Sequence, residues 1–190
     1  MTDRWENWFQ PGEELIWQGA PSPGYRNILA SLFLSVFGIP FLGAGLFASG
    51  MGLGYLFGFA TDWERWHIAL GFVVTAFGIP FIAVGAGLVF GPWVYQYLRP
   101  TRIRYALSEE NGYIANRMWK RNMVVLPIRP DARIETEEHR DGSMDIWFHF
   151  ENYRDSEGDK RTEKKGFESL ADGHEVYRLI REIQARQESG

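Results

Sequence analysis

The sequence predicts a membrane α-helical hairpin joined to a small α+β, mainly-β domain, in which antiparallel strands are closed by a C-terminal amphipathic helix. Three observations carry this. From Ile28 to Ala60, and again from Ile68 to Leu98, the chain contains no Asp, Glu, Lys, Arg or His. After Leu98 the apolar residues change from a helical to an alternating period. Near the end, Val176, Leu179, Ile180 and Ile183 recur at the spacing that buries one face of a helix.

Residues 1–27 read as an aromatic segment on the cytoplasmic side. Asp3, Glu6, Glu13 and Glu14 are out of place in a signal peptide. Trp5, Trp8, Phe9 and Trp17 allow two arrangements. The segment lies at the headgroup level, where indole rings are favoured, or Glu14–Gln18 adds a strand to the downstream domain.

Residues 28–98 form the hairpin, with spans at Ile28–Ser49 and Ile68–Phe90. A membrane helix needs roughly 20 apolar residues to cross about 30 Å of hydrocarbon. The spans resemble one another: Phe37-Gly38-Ile39-Pro40-Phe41 recurs 40 residues later as Phe77-Gly78-Ile79-Pro80-Phe81. Pro40 and Pro80 each remove a backbone donor, which predicts a kink near the middle of each helix. Gly38, Pro40, Gly78, Pro80, Gly87 and Gly91 are the candidate helix-packing positions. GxxxG spacings occur at Gly50/Gly54, Gly54/Gly58 and Gly87/Gly91.

The stretch Gly50–His67 reads as an interfacial loop with an aromatic belt that includes Trp63 and Trp66. Arg26 precedes the hairpin and Arg99, Arg102 and Arg104 follow it, against Arg65 alone in the loop. The positive-inside bias therefore puts both termini in the cytoplasm.

Residues 99–190 hold 17 of the 20 Lys and Arg and 18 of the 24 Asp and Glu. With a local net charge near neutrality, nothing general draws this block to nucleic acid. Strands are predicted at Thr101–Leu107, Tyr113–Met118, Met123–Ile128, Ala132–His139, Met144–Glu151 and Lys165–Leu170. Within Met144–Glu151, Met144, Ile146, Phe148 and Phe150 face the core, and Asp145, Trp147, His149 and Glu151 face outward. Asn152–Glu163 reads as a charged loop, and Asp172-Gly173-His174-Glu175 as a capping box opening the last helix.

Gly12-Glu13-Glu14-Leu15-Ile16-Trp17-Gln18-Gly19-Ala20-Pro21, Arg104-Tyr105-Ala106-Leu107-Ser108, Leu126-Pro127-Ile128 and Gly166-Phe167 together resemble a known pattern. It is that of bacterial membrane proteins pairing a two-helix hairpin with a cytoplasmic pleckstrin-homology-like (PH-like) domain. The resemblance implies a PH-like fold at the inner membrane. Where the family often carries Arg after the first domain strand, this chain has Glu109-Glu110-Asn111, so the turn Ser108–Gly112 is acidic. No specific phosphoinositide binding is expected.

Catalytic chemistry is not legible. The chain has no cysteine, and His67, His139, His149 and His174 share no ligand spacing. No catalytic residue, cofactor or metal is expected. The function read is a non-catalytic interaction or scaffold domain held at the bilayer, its partner another membrane or cytoplasmic protein or a second copy. The alternative is a regulatory or structural subunit of an oligomeric transporter or channel. An ionisable residue in a span usually marks such a pathway, and neither run has one. Arg117, Trp119, Lys120 and Arg121, on a strand-to-strand turn, are expected at the membrane interface with Trp63 and Trp66.

Overall fold

The computed structural model describes residues 5–24, 27–57, 65–154 and 158–189. The chain divides into two units, Gly24–Tyr97 and a second built from Met1–Pro23 together with Leu98–Gly190.

The first unit is a pair of helices, α1 (Ile28–Leu56) and α2 (Arg65–Arg102), whose last residues run into the second unit. Both are long and apolar enough to cross a membrane. Each outruns its expected span, since no polar break interrupts Gly50–Leu56 or Gly91–Leu98, and the predicted loop shrinks accordingly. At 1.5 Å per residue α1 measures about 44 Å and α2 about 57 Å. Only 22% and 17% of their most apolar windows are buried, whereas the core helix of a soluble protein is mostly covered.

What α1 and α2 bury against each other is a ladder of glycines. Gly38, Gly45 and Gly52 sit seven residues apart on α1 and meet Gly85, Gly78 and Gly71, spaced likewise on α2. A Cβ on Gly45 would lie 2.6 Å from Ile82 N and 2.8 Å from Gly78 O, so the backbones touch. Ser35 Oγ donates to the Val89 carbonyl (2.8 Å) and Ser49 Oγ to the Thr75 carbonyl (3.2 Å). Moving one partner forward 40 residues and the other back 40 turns the first pair into the second. The motif repeat is thus an inverted repeat, with a pseudo-two-fold axis between the helices.

Gly38 and Gly78 lie in this contact. Gly87 and Gly91 do not: both are exposed, and a Cβ added to either would meet nothing within 4 Å. At 100° per residue Gly87 lies about 200° around the helix from Gly85, on the opposite face. The packing period is therefore seven, not the four of GxxxG. Pro40 and Pro80 sit within the helices and are exposed.

The second unit holds two antiparallel sheets and a helix, roughly α+β. One sheet has the order β1 (Leu15–Gly19), β2 (Ile103–Ser108), β3 (Asn111–Asn116), β4 (Asn122–Pro127). The other is β5 (Glu135–Glu138), β6 (Met144–Arg154), β7 (Lys160–Leu170), and α3 (Gly173–Ser189) follows. The N-terminal segment therefore joins the domain: Gly19 pairs with Tyr105 and Trp17 with Leu107, and the whole hairpin is inserted between two neighbouring strands.

Tyr105, Leu107, Leu126, Ile146, Phe148, Phe167, Val176, Ile180 and Ile183 make the buried core. Met144, Ile146 and Phe148 point inward as predicted, while Phe150 is half-buried. Asp145, expected outside, is fully buried. Its Oδ1 accepts from Ser169 N (2.7 Å) and its Oδ2 lies 3.1 Å from His139 Nε2, so the carboxylate is bonded on both oxygens. The predicted loop Asn152–Glu163 is largely strand. Asn152 pairs with Thr162 and Tyr153 with Arg161, in a two-stranded ribbon that is polar on both faces. Asp172 opens α3 through its carbonyl, which accepts from Glu175 N and Val176 N. Its carboxylate takes the Trp17 indole N–H at 2.7 Å rather than a helix donor.

Candidate functional site

The first sheet is electrostatically polarised along its strands. Ile103 pairs with Asn116 and Asn116 with Asn122, so the turn from β3 to β4 shares an end with the start of β2. That end carries Arg102, Arg104, Arg117, Lys120 and Arg121. Leu107 pairs with Gly112 at the other end, where Glu109 and Glu110 sit. The arrangement follows from strand alternation alone, because each reversal returns the chain to the end it left.

Within the β3–β4 turn, Arg117 N donates to the Arg102 carbonyl (2.9 Å), which ties the turn to the last residue of α2. Asn116 Oδ1 accepts from Met118 N (2.9 Å), an Asx turn that sets the reversal. Arg117 is half-buried, Lys120 and Arg121 are exposed, and Trp119 is 89% exposed. A tryptophan that projects so fully gains nothing from the domain itself. Of the two other interface candidates, Trp66 is exposed with its ring against His67, and Trp63 lies outside the described residues.

A contribution not legible in the sequence comes from the first residues. The 3₁₀ turn Trp5–Asn7 lies over the outer face of the sheet, away from the core. There Trp5, Ala106, Tyr113 and Ala115 bury one another, with Phe9 and Met123 alongside. Trp5 Nε1 donates to Gln18 Oε1 (3.2 Å), and Phe9 packs 5.0 Å from Tyr113. Between this cover and the sheet a cavity of about 110 Å³ remains, lined by Trp5, Trp8, Ala115, Arg117, Arg121, Asn122 and Met123.

At the acidic end Glu13 fastens β1 to the next two strands. Its carboxylate accepts from Ser108 Oγ, Asn111 Nδ2 (2.9 Å), Tyr113 OH (2.6 Å) and Gln10 N (2.8 Å). Burial by itself would raise the Glu13 pKa, but these donors, Ser108 first, hold it below the ordinary value. The Tyr113 hydroxyl is pushed up, by burial and then by the Glu13 carboxylate it serves.

The two chain ends flanking the insertion meet on one bulge. Between Met144↔Leu170 and Ile146↔Phe167 β7 carries an extra residue, and Ser169 there has φ +57°, in the left-handed region. Ser22 N donates to the Ser169 carbonyl, Arg99 Nη1 to Ser169 Oγ (3.1 Å), and Arg99 Nη2 pairs with Glu168. Tyr105 OH donates to the Glu168 carbonyl (3.3 Å), and burial pushes this phenol up to about 12. Left-handed Ser is costly, and the Ser22 amide, Arg99 and the Asp145 carboxylate all bond Ser169 there.

Among the described residues no group of three His, Cys, Asp or Glu is placed to hold a metal ion. No family model, no curated protein and no solved structure matches the chain.

Proposed function

We propose that the chain is an integral membrane protein presenting a PH-like interaction domain at the cytoplasmic face of a bacterial inner membrane, with no catalysis of its own. The observation that carries the reading is the pairing of β1 with β2 across the inserted hairpin. Two crossings return the chain to the side it left, and only then can strands before and after the helices share one sheet. Four strands plus three, closed by α3, is also the outline of a PH-like fold. Arg99, Arg102 and Arg104 at the exit of α2 favour the cytoplasm for that side.

The basic end of the sheet faces the bilayer in this reading. Each Lys or Arg near an anionic surface contributes about 1 kcal/mol, and Trp119 is suited to the headgroup layer. The acidic turn around Glu109 and Glu110 lies at the far end, where repulsion from anionic lipid is weakest.

The absence of native cysteine makes the test direct. In sealed inverted vesicles, an impermeant thiol reagent should label Glu14→Cys and Thr162→Cys, both exposed, and spare Phe57→Cys. Phe57 caps the far end of α1. Labelling of Glu14→Cys and Thr162→Cys from opposite sides would refute the shared sheet in the membrane. A second reading, a subunit of a larger membrane assembly, is favoured by Gly43, Gly50, Gly87 and Gly91. All four face outward from the hairpin with open space around them, a surface that admits close approach of another helix.

A further inference from the structure

We propose that the cavity beneath Trp5 and Trp8 is a site for the phosphate of an anionic phospholipid headgroup. This rests on the reading that the basic end of the sheet faces the bilayer.

The cavity has the chemistry of one phosphodiester. Its volume is about 110 Å³, room for a group the size of a phosphate. Arg117, Arg121 and Asn122 line it together with Trp5, Ala115 and Met123, so residues that carry N–H donors share a mainly apolar wall. A guanidinium has five N–H donors in a planar fork, so an intramolecular partner leaves others for a phosphate oxygen. Arg117 is held by the bond from its own N–H to the Arg102 carbonyl. Trp8 is half exposed at the mouth, where an amphipathic ring suits the glycerol level of a lipid.

Charge selects the headgroup. Arg117, Lys120 and Arg121 fall within five consecutive positions, next to which a choline or ethanolamine headgroup would place an ammonium. Phosphatidylglycerol brings none. The exposed Trp119 on the same turn would keep the mouth at the depth where such headgroups lie.

The test uses the full chain, delipidated in mild detergent. Phosphatidylglycerol, phosphatidylcholine or inorganic phosphate is added separately, and retained molecules are counted by native mass spectrometry. One phosphatidylglycerol should be held at least about tenfold more tightly than phosphatidylcholine, and Arg117→Gln/Arg121→Gln should weaken it by more than about tenfold. Lys120→Gln, outside the cavity, should leave retention within about twofold. Equal loss in Lys120→Gln would mean diffuse attraction and overturn the site. So would phosphatidylcholine or inorganic phosphate held as well as phosphatidylglycerol. If the double variant melts early, Trp8→Ala decides: retention should fall severalfold, and unchanged retention refutes the proposal. A fluorophore at position 119 with lipid-borne quenchers separates the two levels. Quenching there without headgroup selection removes the site and leaves the membrane-facing reading standing. No quenching at 119 removes that reading itself.

Discussion

Gly45→Ala tests the hairpin where the two backbones meet. The added Cβ would sit 2.6 Å from Ile82 N and 2.8 Å from Gly78 O, where ordinary contact begins at 3.4 Å. Both obstacles are backbone atoms of α2, so no rotamer change relieves the clash and the helices must part locally by about 0.8 Å. Overpacking of this kind costs about 1–3 kcal/mol. Alanine also favours the helix over glycine by about 1 kcal/mol, a gain that can mask part of the loss. Gly43→Ala corrects for it, because nothing lies within 4 Å of a Cβ at that position. Reversible unfolding of the full chain in mixed micelles, titrated with a denaturing detergent, should therefore place Gly45→Ala about 1–3 kcal/mol below Gly43→Ala. Equal stabilities would refute the seven-residue glycine ladder as the packing face.

Phe148→Ala should cost about 3–5 kcal/mol, far more than Trp147→Ala, because Phe148 is 1% exposed and its neighbour faces outward in part; thermal melts of the two variants compare them directly. Glu13→Gln should loosen β1 by about 1.5–3 kcal/mol, the worth of hydrogen bonds to a charged group, read as faster amide exchange at Trp17–Gly19. The Glu13 pKa is lowered in the fold, so its contribution is complete above the unfolded carboxylate range and fades as pH falls through the lower folded value. Protection of β1 should drop on acidification below about pH 4.5 in the parent chain and change less in Glu13→Gln. Ser169→Gly relieves the left-handed backbone and deletes the Oγ that Arg99 meets; if that contact outweighs the strain, the domain melts lower, and a higher melting temperature would show the reverse.

The two long apolar helices and most strands are legible in the sequence because their signals are local. An uncharged run and an alternating run each betray an element without reference to anything distant. The ribbon continuing β6 and β7 is not, because Asn152, Thr162, Tyr153 and Arg161 are polar or exposed on both faces and leave no alternation to read. Asp145 misleads for a related reason: its burial depends on Ser169 and His139, which no spacing connects to it. The glycine ladder is hidden by its period, since every seventh residue draws less notice than a GxxxG. The turn Arg117–Arg121 falls at the end where β2 begins, a position that follows from counting reversals. The cavity beside it is out of reach, because Trp5 and Trp8 arrive from more than a hundred residues away.

The insertion of the hairpin between β1 and β2 also shapes the order of assembly during synthesis. β1 emerges first and has no partner until β2 is made, some eighty residues later. A flexible loop of that length would oppose the pairing through its closure entropy, which grows with the logarithm of length. A packed helix pair removes most of that opposition, since its two ends are brought together before the sheet forms. Pairing of β1 with β2 therefore depends on the two helices bringing their ends to the same place. Without that return, Glu13 would lack its three side-chain donors and β2 would present an open edge.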